Sequence, residues 1–82
     1  MLEAKVYITL KKTVTDPQGL TIKHALESLG FKAVDDVRMG KLITLKLKMN
    51  DRKKSEKELD EICRKLLANP IIEDYSFKIQ EV

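Results

Sequence analysis

Two side chains offer nucleophilic or acid–base chemistry near neutral pH, Cys63 and His24, and each is the only residue of its type. A nucleophile needs a base within hydrogen-bond reach. Cys63 falls between Ile62 and Leu66 on an apolar helical stripe, where a free cysteine reads as a small buried hydrophobe. His24 lies beside Ala25 at the margin of another helix and has no identifiable partner. One His and one Cys fall short of a zinc ligand set. The carboxylate pairs Asp35-Asp36 and Glu73-Asp74 sit at strand starts or turns and read as solvated. Three glycines build neither GxxxxGK[ST] nor GxGxxG, so no phosphate-cradling loop is expected. The expectation is no catalytic, cofactor-binding or metal-ligating residue in this chain.

What remains is binding chemistry. In Arg38-Met39-Gly40-Lys41 two cations flank a glycine, so charge and exposed backbone amides together suit an anion or an acidic partner. An ordinary basic turn has the same composition.

The elements that position these residues follow from hydrophobic period. Leu2, Ala4, Val6, Ile8 and Leu10 alternate with Glu3, Lys5, Tyr7, Thr9 and Lys11, a strand with one apolar face. Asp16-Pro17-Gln18-Gly19 is a turn or helix start. Leu20, Ile22, Ala25, Leu26 and Leu29 follow at helical spacing, ended by Gly30 as C-cap glycine. Val34–Val37 reads as a short extended piece and Leu42–Met49 as a strand. Gly40 leaves open one long bent strand or two. Ser55 and Glu58 form a capping-box pattern ahead of a stripe of Leu59, Ile62, Cys63, Leu66 and Leu67. Asn69-Pro70 stops that helix, and a last strand from about Ile71 to Val82 sets Ile71, Tyr75, Phe77 and Ile79 on one side. The expected fold is a single α+β domain over residues 1–82, a two-layer β-α-β(β)-α-β arrangement with two helices on one face of an antiparallel sheet.

At 82 residues the chain has a modest core, and its lone cysteine excludes an internal disulfide, so self-association is the expected support. With 43% hydrophobic residues it is too apolar for disorder. No apolar run reaches the roughly 20 residues of a membrane span. The alternating N-terminus is unlike a signal peptide, so the expected location is cytoplasmic. The net charge of +3 is spread over 16 basic and 13 acidic residues, and aromatics reach only 5%, which argues against nucleic acid.

Ordered landmarks across nearly the whole chain resemble the PurS family. They are Asp16-Pro17-Gln18-Gly19, then Ala25-Leu26-x-x-Leu29-Gly30-Phe31, then Val37-Arg38-Met39-Gly40-Lys41. The last is Cys63-x-x-Leu66-Leu67-Ala68-Asn69-Pro70-Ile71-Ile72-Glu73-Asp74-Tyr75. The resemblance implies a ferredoxin-like outline and a small non-catalytic subunit of phosphoribosylformylglycinamidine synthase, a ligase of purine biosynthesis. It implies a bridge between the glutaminase subunit (PurQ) and the large amidoligase subunit (PurL) that assists ammonia transfer. ATP and magnesium are then used by the complex and not bound by this chain, which forms a homodimer or homotetramer. Within these landmarks Asp16, Gln18, Gly19, Arg38, Gly40 and Lys41 are the expected partner contacts, because they are the polar, backbone-exposing positions. The alternatives are a small-ligand-binding regulatory module of ferredoxin-like type and a nucleic-acid-binding domain, whose affinity would fall steeply with salt.

Overall fold

Strand β1 (Leu2–Leu10) is the centre of the fold, in a computed structural model that describes residues 1–81. It pairs antiparallel on one side with β2 (Gly40–Leu47) and on the other with β3 (Glu73–Glu81), giving the order β2-β1-β3. Val6 stands opposite Ile43 and Phe77, and Ala4 opposite Leu45 and Ile79. The apolar side chains of all three strands therefore share one face, as a period of two requires. The polar set of β1, from Glu3 to Thr9, lies on the other face.

Helix α2 (Arg52–Ile62) crosses the apolar face between β2 and β3 and continues into a π-helical turn, Cys63–Leu67. Leu59 and Cys63 are fully buried in one cluster with Leu2, Ala4, Val6 and Ile8. The Tyr75 hydroxyl of β3 donates to the Asp60 carboxylate at 2.6 Å and ties α2 to that strand. The expected capping box is not how this helix begins. Asp51 is the N-cap and accepts from the Lys54 amide at 3.2 Å. Ser55 lies inside the first turns, fully buried, and its hydroxyl donates back to the Asp51 carbonyl at 2.8 Å. An aspartate three residues ahead of a free amide is as good a cap as serine, so the helix starts earlier.

The π turn also changes which residues face the sheet. Its wider winding closes with the Ala68 amide donating to the Cys63 carbonyl, five residues back. Ala68 is buried in consequence, whereas Leu66, expected on the apolar stripe, is 78% exposed. Ile71, expected in the last strand, lies in the turn before β3 and is also exposed. The expected end of that strand at Val82 lies outside the described residues. Residues 31–39 form no strand, so the middle of the chain supplies one strand, β2, starting at Gly40.

Helix α1 (Pro17–Ser28) follows the expected boundaries. Asp16 caps it, Pro17 occupies the first turn, and Gly30 ends it at φ 94°. The Gly30 amide donates to the Glu27 carbonyl at 3.0 Å and the Phe31 amide to the Leu26 carbonyl at 2.9 Å, a complete Schellman closure. The three-stranded antiparallel sheet with two helices is as expected, but only α2 buries its stripe. Among the described residues α1 contributes no side chain to the core cluster. The reason is topological: β1 and β2 are antiparallel neighbours, so the segment between them is an excursion from a hairpin and has no need to cross the sheet.

These placements separate two isoleucines that the sequence pattern groups together. Ile79→Ala, at a buried site, is expected to cost about 2–5 kcal/mol, as is Leu59→Ala. Ile71→Ala is expected to stay within about 0.5 kcal/mol, as surface changes do. Urea unfolding of the three variants checks this.

Candidate functional site

The residues singled out in the sequence meet where the chain leaves β1 for α1 and returns to β2. Asp16 is 4% exposed, and its carboxylate holds both ends of the excursion. One oxygen accepts from the Gly19 amide at 3.0 Å, which caps α1. The other accepts from the Met39 amide at 2.6 Å, one residue before β2. These two amides, with the Arg38 charge nearby, hold the Asp16 carboxyl below its ordinary value. Gly19 is the only residue type that fits its position, because a Cβ there would run into the Val37 carbonyl oxygen.

Arg38 completes the clamp from the other side. Its guanidinium donates to the Lys11 carbonyl at 2.9 Å and the Val14 carbonyl at 3.0 Å, with a longer contact of 3.5 Å to the Leu10 carbonyl. The Lys11 and Val14 carbonyls belong to the irregular stretch after β1, where the Lys11 carbonyl also accepts from the Val14 amide at 2.9 Å. All three contacts fall on one guanidinium nitrogen, Nη2.

Four of the expected contact residues, Asp16, Gln18, Gly40 and Lys41, line one open cleft of about 250 Å³ together with Met39 and Glu73. Gln18 and Lys41 are exposed at its mouth, and the Lys41 ammonium stands 3.8 Å from the Glu73 carboxylate. Arg38 lines a neighbouring groove with Lys12 and Asp36 instead. The polar groups of Asp16 and Arg38 are thus engaged within the chain, and they shape the cleft; Gln18 and Lys41 are the groups that face outward from it.

Cys63 and His24 lie far from this chemistry in character. Burial, and then the nearby Asp60 carboxylate, push the Cys63 thiol up, so it stays protonated in the core. The same carboxylate, by accepting a hydrogen bond from the hydroxyl, raises Tyr75. Asp60 also accepts from Arg64 at 3.1 Å, so this cluster joins α2 to β3 and presents no free base to the thiol. His24 is exposed on α1.

Sequence reasoning missed the exposed apolar surface. Ile22, Leu29 and Phe31 of α1 and its cap are exposed, as are Leu66 and Ile71 beyond α2. The available signal was the π turn's effect on Leu66 and the hairpin topology around α1, and neither is local in sequence.

Comparison with known proteins gives a consistent picture. A family model described as PurS, phosphoribosylformylglycinamidine (FGAM) synthase, matches residues 3–81. The phosphoribosylformylglycinamidine synthase subunit PurS of Bacillus subtilis is 45% identical over 86 residues, covering 100% of this chain and 96% of the relative. The crystal structure of Methanocaldococcus jannaschii PurS superposes with a TM-score of 0.89 at 43% identity, covering 100% of this chain and 99% of that one. A chain in the structure of PurLQS from Thermotoga maritima superposes with a TM-score of 0.85 at 27% identity, covering 98% and 99%.

The clamp has a pH signature with a definite sign. Asp16 is depressed in the folded chain, so its stabilisation is fully present above the unfolded value of about 3.9. It is lost as pH falls through the folded value, where the native carboxylate takes up its proton. Asp16→Asn is expected to melt below wild type at pH 7, with the gap narrowing below about pH 4. Thermal melts across that range by circular dichroism are the check. Gly19→Ala, which pushes Val37 away, is expected to cost roughly 1–3 kcal/mol in the same assay.

Proposed function

The chain belongs to the PurS family, and on that premise we propose that it is the small, non-catalytic subunit of phosphoribosylformylglycinamidine synthase in purine biosynthesis. The observation that carries the reading is full-length similarity, in sequence and in fold, to a chain of the PurLQS structure. In this role it bridges the glutaminase subunit and the large amidoligase subunit, and the complex converts formylglycinamide ribonucleotide to its amidine with ATP, magnesium and glutamine. This chain holds no ATP or magnesium of its own in that scheme. Its place is the cytoplasm, in keeping with the observation that no described helix is long and apolar enough to cross a membrane.

The physical demand on such a subunit is a sealed path. Ammonia released at one active site is protonated if it escapes to water, and the ammonium ion is no nucleophile. A subunit that keeps two others in register needs rigid, self-satisfied backbone and outward-facing contacts. The clamp supplies the first, since Asp16 and Arg38 saturate the turns on both sides of α1. Gln18 and Lys41, at the mouth of the cleft, are the proposed contacts to a partner subunit. Asp16, Gly19, Arg38 and Gly40 act there by holding the backbone that presents them. Self-association into a dimer or tetramer belongs to the same reading, because the 82-residue chain leaves much apolar surface open.

Reconstitution tests it. With the large and glutaminase subunits present, glutamine-dependent amidine formation is expected to require this chain, while a high concentration of ammonium salt should restore turnover without it. Glutamine-dependent activity that is unchanged when the chain is omitted would refute the proposal. The paired change Gln18→Glu with Lys41→Glu is expected to leave the melting temperature within a few degrees, given that both side chains are exposed, and to weaken co-elution with the other subunits at least tenfold, or about 1.4 kcal/mol.

A further inference from the structure

Helix α2 lies on the face of the sheet that carries Ala4, Val6 and Ile8, all of them buried. The opposite face carries the alternate residues of each strand: Lys5, Tyr7 and Thr9 of β1 with their neighbours on β2 and β3. It is open, since Lys46 and Lys78 are exposed there, as are Tyr7 at 39% and Leu42 at 58%. An antiparallel sheet covered on one side ordinarily turns mixed polar residues to water. Two features of this face go beyond that.

The first is a group of cations without counter-charges. Lys5 stands directly opposite Lys78 in the pairing of β1 with β3. Lys46 is its diagonal neighbour on the other side, because Lys5 faces Thr44 and Glu3 faces Lys46. Among the described residues none of these three lysines is in an ion pair. Lys11 and Lys41, which are paired, lie at the other end of the sheet with Asp74 and Glu73. Like charges set opposite one another across a ladder repel. A lysine on an outer strand guards that edge against stray pairing, which accounts for Lys46 and Lys78. Lys5 is on the middle strand, where no edge needs guarding. The second feature is apolar. Tyr7 is opposite Leu42, so an aromatic and an aliphatic side chain sit exposed side by side, one step along β1 from Lys5 on the same face.

We propose that this open face is a second docking surface, taken by an acidic surface of another subunit of the enzyme. Carboxylates of that partner sit among Lys5, Lys46 and Lys78, and an apolar side chain rests on Tyr7 and Leu42. The proposal rests on the subunit reading above and adds the surface that a bridge requires. Lys41 is opposite Ile8 in the ladder, so the cleft that it shares with Gln18 opens on the α2 side. The lysine group faces the other way, and two partners can be held at once without competing for one surface. Carboxylates fit because they turn the repulsion between Lys5 and Lys78 into attractions, which strengthen as water is excluded around Tyr7 and Leu42. Nucleic acid fits less well. Tyr7 is the one aromatic among the described residues of this face, where base stacking needs several, and Glu3 and Asp74 at its two ends repel phosphates.

Charge reversal in the reconstituted complex tests it. Lys5→Glu with Lys78→Glu keeps a like-charged pair across the ladder, so its melting temperature is expected to stay within a few degrees of wild type. Lys46→Glu with Lys78→Glu is the second variant and changes only exposed side chains of the outer strands. Wild-type chain is expected to co-elute with the large and glutaminase subunits, its affinity falling at least tenfold between about 0.1 M and about 1 M salt, as the screening length shrinks from about 10 Å to about 3 Å. Both variants are expected to bind at least tenfold more weakly at the lower salt, with a flatter salt dependence. Alone, both are expected to keep the wild-type mass by light scattering. Variants that assemble as wild type does and support full glutamine-dependent turnover overturn the docking surface and leave the subunit reading standing. A wild-type chain that neither co-elutes nor is required for turnover refutes both. A change in the variants' own mass assigns the face to contacts between copies and overturns the proposal. So does wild-type binding to a labelled single-stranded oligonucleotide, followed by fluorescence polarisation, that the variants lose.

Discussion

One carboxylate sets the path of the chain through its least regular third. β1 and β2 are antiparallel neighbours, yet nearly thirty residues intervene where a two-residue hairpin turn would do. An excursion of that size needs its two ends held together. Asp16 does this by accepting from Gly19 at the entry and Met39 at the exit. Arg38 satisfies the carbonyls of the entry strand's overhang, and Gly19 leaves room for the returning backbone at Val37. Removing the charge from Asp16 leaves one good acceptor oxygen where two amides, Gly19 and Met39, each have their own.

The sheet itself depends on a different economy. A single helix covers the middle strand and is fixed sideways by the Tyr75 hydroxyl, so Leu2, Ala4, Val6 and Ile8 of β1 are buried, whereas on the outer strands only Ile79 is, and Ile43, Leu45, Leu47, Tyr75 and Phe77 are partly so. The π turn at the end of α2 places Ala68 in the core at the expense of Leu66. Such a turn gives up regular winding, a cost commonly met at functional positions. Here it puts an exposed leucine in an open groove along α2, with Glu58, Glu61, Ile62 and Lys65. Local irregularity and exposed apolar surface coincide, which is how an interface is built on a small scaffold.

A subunit with this construction serves by geometry. Its one thiol is protonated in the core, and its best-placed carboxylates are committed to backbone amides and to a tyrosine. Its outward features are a clamped turn with Lys41 and Gln18 exposed at a cleft, which are the contacts proposed above, and a helix with exposed Ile22 and Leu29.

Local chemistry in the sequence was enough to define β1 by alternation and α1 by Asp16-Pro17 at one end and Gly30 at the other. Those features depend on neighbours within a few residues, where period and capping operate. It also marked Asp16, Gly19, Arg38 and Gly40 as special, but as outward contacts; that Asp16 and Arg38 spend their hydrogen bonds across twenty and more residues is visible only once the chain has turned back. The same is true of Asp51 winning the cap from Ser55, and of the π turn that exposes Leu66. Above all, an apolar stripe in sequence says that a surface seeks cover and not what covers it. In α2 the β2-to-β3 crossing decides that, and in α1 the antiparallel pairing of β1 with β2 leaves the stripe outside the chain's own core.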